Sequence, residues 1–212
     1  LEKLEELEKP LGAMEKGNLL HDGLEKFVKE YPNKLPENSI SVLREYAENH
    51  ILTYNEDPET WSFWWPRFEN LCNWYISHEK NWRENFKARP LSLETKGILE
   101  FDLENTKFIL SGIADRIDLM PDSTCAVIDY KTGSGFSSTK MASGDTPQLP
   151  LEAVMLEFNA FAEQGIRNKK TSYLAYWSLT GGKEAGKITA LPSRNEKDLS
   201  AVLDNTYSGL KN

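Results

Sequence analysis

The chain has 212 residues, 39% of them apolar and 11% aromatic, and a formal net charge of −8. That length suits one well-buried domain better than two, and the composition is that of an ordinary globular protein. No run approaches about eighteen consecutive apolar residues, so nothing reads as a membrane-spanning helix, and the acidic balance argues mildly against a domain that grips nucleic acid by its own charge.

The opening stretch LEKLEELEKP, Leu1 to Pro10, reads as an acidic lead-in without a signal-peptide pattern. Lacking an initiator Met, the chain reads as a domain taken from a longer protein. From Asn18, Leu20, Leu24, Phe27, Val28 and Tyr31 recur at helical spacing until Pro32-Asn33 stops the run. A second helix is predicted over Ser39 to Leu52. A third, about Glu59 to Phe86, carries Trp61, Trp64, Trp65, Trp74 and Trp82, an aromatic face that suits a core or domain interface better than a ligand site.

After Pro90 the pattern changes. Leu91–Leu103, Lys107–Met120 and Thr124–Lys131 alternate or are β-branched, separated by turn signals at Asn105 and at Pro121-Asp122-Ser123. Thr146-Pro147 supplies an N-cap and a first-turn proline for a helix to about Gln164. Strands follow at Thr171–Leu179 and Gly186–Leu191, then a helix from Ser193 to Leu210. Helices first, then a strand hairpin, then helix and strand, predict an α/β (α+β) chain with a mixed central sheet flanked by helices and an added helical N-terminal portion. Beyond residues 1–10, the expected organisation is a single domain over 11–212: a helical part 11–88, a core 89–192 and a C-terminal helix 193–212. Cys72 and Cys125 read as reduced, buried thiols.

The stretch VIDYKTGSG, Val127 to Gly135, poses the functional question. A phosphate-cradling loop needs glycines at set positions before its Lys-Thr pair, and Tyr130 and Cys125 occupy those places. Read as a strand, the segment puts Val127, Asp129 and Lys131 on one face. On the preceding strand Asp115 shares a face with Ile113 and Ile117, leaving Arg116 and Asp118 opposite. If Pro121–Thr124 turns the chain, paired residue numbers total about 245, which brings Asp115 beside Asp129 and Tyr130. Two such carboxylates either share a proton or hold a cation, and hard oxygen donors favour Mg²⁺ or Mn²⁺. A metal there polarises a phosphoryl oxygen and activates water, while Lys131 orients the water or neutralises developing charge. The bland alternative is a solvated surface hairpin whose Asp and Lys form an ion pair of little worth.

The run GIADRID, Gly112–Asp118, followed by VIDYKTG, Val127–Gly133, and PQLPLEA, Pro147–Ala153, resembles the PD-(D/E)xK nuclease superfamily, whose fold is restriction-endonuclease-like. More narrowly, with GNLLHDGLEKF at Gly17–Phe27, WWPRFE at Trp64–Glu69 and LAYWSLTGG at Leu174–Gly182, the chain is similar to the C-terminal nuclease domain of AddB proteins of the α-proteobacterial type. The likeness runs from about Gly12 to Gly182.

That resemblance implies roles. His21, Asp115, Asp129 and the backbone carbonyl of Tyr130 would be metal ligands. Asp115, Asp129, Lys131 and Gln148 would form the catalytic set, with Mg²⁺ or Mn²⁺ as the cofactor. Glu25, Arg116 and Asp118 would support the ligands, and Asp118 reads as a partner of Arg116 or of a backbone group. Lys140, Arg167, Lys169 and Lys170 are expected to line a local DNA path. Relatives often carry four cysteines around an iron–sulfur cluster; with two cysteines, no such cluster is expected here. The implied activity is hydrolysis of DNA, single-stranded by preference, by in-line attack of water on phosphorus. The implied setting is a bacterial cytoplasmic, nucleoid-associated helicase–nuclease for recombinational double-strand-break repair, with an AddA-type subunit as partner and no membrane contact. The rival readings are a lapsed nuclease fold serving as a DNA-binding or scaffolding module, and an interaction module built on the aromatic helix. Glu94 and Glu100 are not assigned by their spacing; His50 and His78 read as surface residues.

Overall fold

The computed structural model describes residues 13–54, 65–103, 106–192 and 199–211. The lead-in, Trp61 and Trp64 lie outside them. The described elements are α1 (Ala13–Glu30), α2 (Ser39–Tyr54), α3 (Trp65–Asn85), β1 (Arg89–Leu103), β2 (Thr106–Leu119), β3 (Cys125–Lys131), α4 (Ser138–Ser143), α5 (Gln148–Glu157), β4 (Thr171–Leu179), β5 (Gly186–Leu191) and α6 (Leu199–Gly209). No helix among the described residues is long and apolar enough to cross a membrane.

The chain divides into two compact units, one up to Lys80 with Leu179–Gly186, the other Asn81–Ser178 with the residues from Lys187 onward. In the first unit the predicted stripe of α1 is the buried one: Leu20, Leu24, Phe27 and Val28 are at most 3% exposed, as are Leu43 of α2 and Cys72 and Tyr75 of α3. Phe27 meets Tyr75 edge-on at 6.5 Å. Burial of these side chains drives the ordering of the helices, at about 25 cal/mol per Å² of apolar area. The turn between β4 and β5 belongs to this unit. Gly181 has a φ of +64°, and a Cβ there would lie 2.2 Å from the carbonyl oxygen of Arg67, so only glycine fits. His78 is half-buried, stacks on Trp74 at 3.9 Å and sets Nδ1 2.8 Å from its carbonyl oxygen, a correction to its reading as a surface residue. His50 has no described side chain.

The second unit holds a mixed five-stranded sheet in the order β1-β2-β3-β4-β5. β1, β2 and β3 are antiparallel to one another in turn, and β4 runs parallel to β3. β3 is central and buried from Cys125 through Tyr130, which is why its sequence reads as a nearly continuous apolar run. Helix α5 covers the sheet with Leu149, Ala153, Val154, Met155 and Leu156, all buried. Gly97 lets β1 approach Phe161, whose ring a Cβ would meet at 2.5 Å.

Two expectations for α5 need correction. The N-cap residue is Pro147, without a side-chain cap, so Thr146 does not begin the helix. The helix stops at Glu157 because Asn159 turns left-handed (φ 63°) and the chain folds back, the Ala160 N–H donating to Met155 O at 2.8 Å. The short helix α4 was not expected at all. Its signals are in the sequence: Ser137 accepts from the Lys140 N–H at 3.2 Å, and Gly144 closes the turn at φ 86°.

Candidate active site

The site is built where β2, β3 and α5 meet. β2 and β3 pair with Arg116 opposite Ile128 and Ile117 opposite Val127, and one more step of this register sets Asp115 opposite Asp129. The carboxylate of Asp115 accepts the Tyr130 N–H at 2.8 Å, which ties it to the neighbouring strand at the point where the two acids face each other. Of the expected group, Asp115 and the Tyr130 backbone are joined directly.

Asp129 is fully buried. A carboxylate in that position requires compensation, and it comes from two side chains. Lys131 Nζ lies 2.9 Å from Oδ1 and 2.8 Å from Oδ2, and the Gln148 Nε2 amide donates to Oδ1 at 2.5 Å. Gln148 Oε1 in turn accepts from Lys131 Nζ at 3.0 Å. The Lys131 side chain keeps 27% of its surface exposed, so its ammonium is accessible to a phosphate. Gln148 is not a helix cap. It stands at the first position of α5, immediately after the cap residue, and its side chain binds the acid and the lysine instead.

Two further carboxylates stand beside this group, and the sequence reading left one undecided and did not name the other. Glu94 lies on β1 between Leu93, which pairs with Arg116, and Thr95, which pairs with Ala114, so it sits across from Asp115. One carboxylate oxygen from each lies within 4.8 Å of the other. Glu94 is held at φ 45°, a conformation that non-glycine residues rarely adopt and that concentrates at functional sites. Its signal was the β1–β2 register. Glu152 lies one helical turn after Gln148 on α5 and is 4% exposed; its Oε1 accepts from Gln148 Nε2 at 3.1 Å. Burial first, then the charge of Asp129, push its carboxyl up to about 8. Here the signal was the four-residue spacing from Gln148.

Behind the acids, on the other face of β2, Arg116 and Asp118 form a fully buried bidentate pair at 2.8 and 2.7 Å. Arg116 also donates to the Tyr130 hydroxyl at 3.0 Å, and the Trp82 indole N–H donates to Asp118 at 2.6 Å. This pair fixes β2 against the side chain of Tyr130, whose backbone N–H holds Asp115.

The remaining named residues lie on other elements. His21 is half-buried on α1 in the first unit, and Glu25 on the same helix pairs with Lys29. Lys140 lies on α4, its Nζ 3.5 Å from the Gly135 carbonyl oxygen, near the exit from β3. Lys169 reaches Ser123 O at 3.5 Å and Lys170 pairs with Glu157 at 2.7 Å, both beside the entry to β3, where the Cys125 N–H donates to Lys170 O. Lys131 is six residues further along the strand, roughly 20 Å away at about 3.3 Å per residue. Arg167, Lys169 and Lys170 are therefore not brought together with Lys131 as a local path, because the loop that carries them joins the opposite end of the sheet.

A mixed sheet flanked by helices, with acids and a lysine on adjacent central strands, defines a nuclease-type fold whose donor set is hard oxygen. The PD-(D/E)XK nuclease superfamily model matches residues 1–211, and the chain belongs to that superfamily. An uncharacterized protein of Rickettsia typhi is 30% identical over 202 residues, covering 92% of this chain and 22% of that protein. One of Rickettsia conorii is 29% identical over 153 residues, 69% of this chain and 18% of its own length. The chain thus spans about a fifth of the curated relatives it matches. A solved structure, that of SSO0001, covers 94% of this chain at 16% identity with a TM-score of 0.30, too low to bear on the fold.

Proposed function

We propose that this chain hydrolyses phosphodiester bonds of DNA, single-stranded by preference, with a divalent metal ion, as part of an AddAB-like helicase–nuclease of recombinational repair. The observation that carries the reading is the network of Asp129, Lys131 and Gln148 at the end of β3, together with the approach of Asp115 and Glu94 carboxylate oxygens to within 4.8 Å of each other. Acids this close on adjacent strands suit a cation, and their oxygens suit Mg²⁺ or Mn²⁺ better than a softer metal. Asp115, Asp129, Glu94 and the Tyr130 carbonyl would hold it, with His21 added on the strength of its motif. When bound, the metal supplies Lewis-acid stabilisation of phosphoryl charge and a more acidic water.

The protein groups do the rest. Asp129 aims Lys131, Gln148 locks the lysine from its other side, and Lys131 offers its ammonium to the negative charge that grows on the phosphate in the transition state. The helicase–nuclease setting rests on the AddB-like motifs, and it accounts for an acidic chain acting on DNA, because motor subunits would deliver the strand. Incubating the protein with end-labelled single-stranded and duplex DNA, in Mg²⁺ or EDTA, tests the reading. Cleavage in Mg²⁺ that EDTA stops, lost in Asp129→Ala and Lys131→Ala, is expected. Equal degradation by all three proteins would discredit the site.

A further inference from the structure

We infer that Glu152 is a positioning residue: it sets the orientation of the Gln148 amide and, through it, the place of the Lys131 ammonium. This deepens the nuclease reading and rests on it for the kinetic consequence, though not for the geometric one. The Gln148 side chain has two ends of opposite character. Its Nε2 donates to two carboxyl oxygens, Asp129 Oδ1 at 2.5 Å and Glu152 Oε1 at 3.1 Å, and its Oε1 accepts from Lys131 Nζ at 3.0 Å. Both hydrogens of the amide nitrogen are thereby occupied, and the carbonyl end is left for the ammonium. The reversed amide would set N–H against N–H at Lys131 and oxygen against oxygen at the two acids.

Asp129 Oδ1 takes one of the two amide hydrogens while also accepting from Lys131, so the other amide hydrogen needs a further acceptor. Glu152 is the second acceptor. It is 4% exposed on the buried face of α5, one turn from Gln148, so its carboxyl is held by packing and has little freedom to leave. Gln148 itself stands at the exposed start of the helix, where water would compete for its amide without such an anchor. A buried acid is costly in that setting, and orientation of the amide is the work that the contact performs.

The test pairs a structural readout with a kinetic one. In ¹⁵N-resolved NMR the Gln148 side-chain amide, identified by its loss in Gln148→Ala, is expected to be shifted and slow to exchange in the wild type. It should lose that protection in Glu152→Ala and keep it in Glu152→Gln, which retains an accepting oxygen. Unchanged Gln148 signals in Glu152→Ala would overturn the inference, whether or not the protein cleaves DNA. In the cleavage assay Glu152→Ala is expected to lower kcat about 10- to 100-fold, as loss of such a supporting contact typically does, with KM for DNA little changed. Glu152→Gln should restore the rate, and Glu152→Ala added to Gln148→Ala should cost nothing more. Additive losses in that pair of variants would mark a merely structural role and overturn the positioning claim. A wild type that never cleaves would sink the nuclease reading, and the NMR signals alone would then decide the orientation.

Discussion

Asp129 is a fully buried acid held by Lys131 and the Gln148 amide, and each of these contacts can be removed by one substitution. Replacing Lys131 by Ala removes the cation and leaves the acid buried; the expected results are a rate loss of about 10²- to 10³-fold in the cleavage assay and a lower melting temperature. Glu152 gives a prediction in pH. Its carboxyl titrates at about 8 in the folded chain against an ordinary value of 4.5, so the native state binds the proton more tightly than the unfolded state does. Its contribution to stability is therefore complete below about pH 4.5 and is lost as the pH rises through about 8. Melting curves of wild type and Glu152→Gln in EDTA, taken between about pH 5 and 9, should show the wild type falling behind as the pH rises. Parallel pH profiles would contradict the raised titration.

At the scale of elements, the buried Arg116–Asp118 pair joins β2 to the Tyr130 side chain of β3 and receives Trp82 of α3. Asp118→Ala leaves an uncompensated guanidinium inside the protein and is expected to destabilise by about 3–5 kcal/mol in denaturant melts, whereas an apolar replacement of both partners recovers much of that loss. A loss below about 1 kcal/mol would show that water reaches the arginine. The central strand and its acids were legible in the sequence because a fully apolar run with one acid and one lysine has few readings, and because the turn at Pro121–Ser123 set the register. Tertiary packing decided what was not legible. The end of α5 was hidden because the helical pattern continues through Phe158 and Phe161, while the chain actually turns at Asn159. The role of Glu94 needed the long β1–β2 pairing, and that of Glu152 needed the knowledge that α5 packs Gln148 toward the sheet. The basic residues before β4 lie at the end of the sheet where β3 begins because β4 runs parallel to β3, a pairing that the sequence alone did not reveal.

For the whole molecule, a net charge of −8 sets the expected behaviour toward DNA. With 33 acidic residues against 25 basic ones, the isolated chain should bind single-stranded DNA weakly and with a shallow dependence on salt. A filter-binding or anisotropy titration from about 50 to 200 mM salt checks this, and a loss of about 10³-fold in affinity over that range would show a basic track that the net charge conceals. The dispersal of Lys140 from the Arg167–Lys170 group agrees with local contacts in place of one continuous basic path.

The central claim is that oxygens from neighbouring strands gather around a divalent ion. Anomalous diffraction from a crystal soaked in Mn²⁺ tests it most directly: the account predicts one peak within about 2.5 Å of carboxylate oxygens of Asp115 and Asp129 and absent from Asp115→Asn crystals. A soaked crystal with no peak between those two acids, or with the same peak retained in Asp115→Asn, would contradict it.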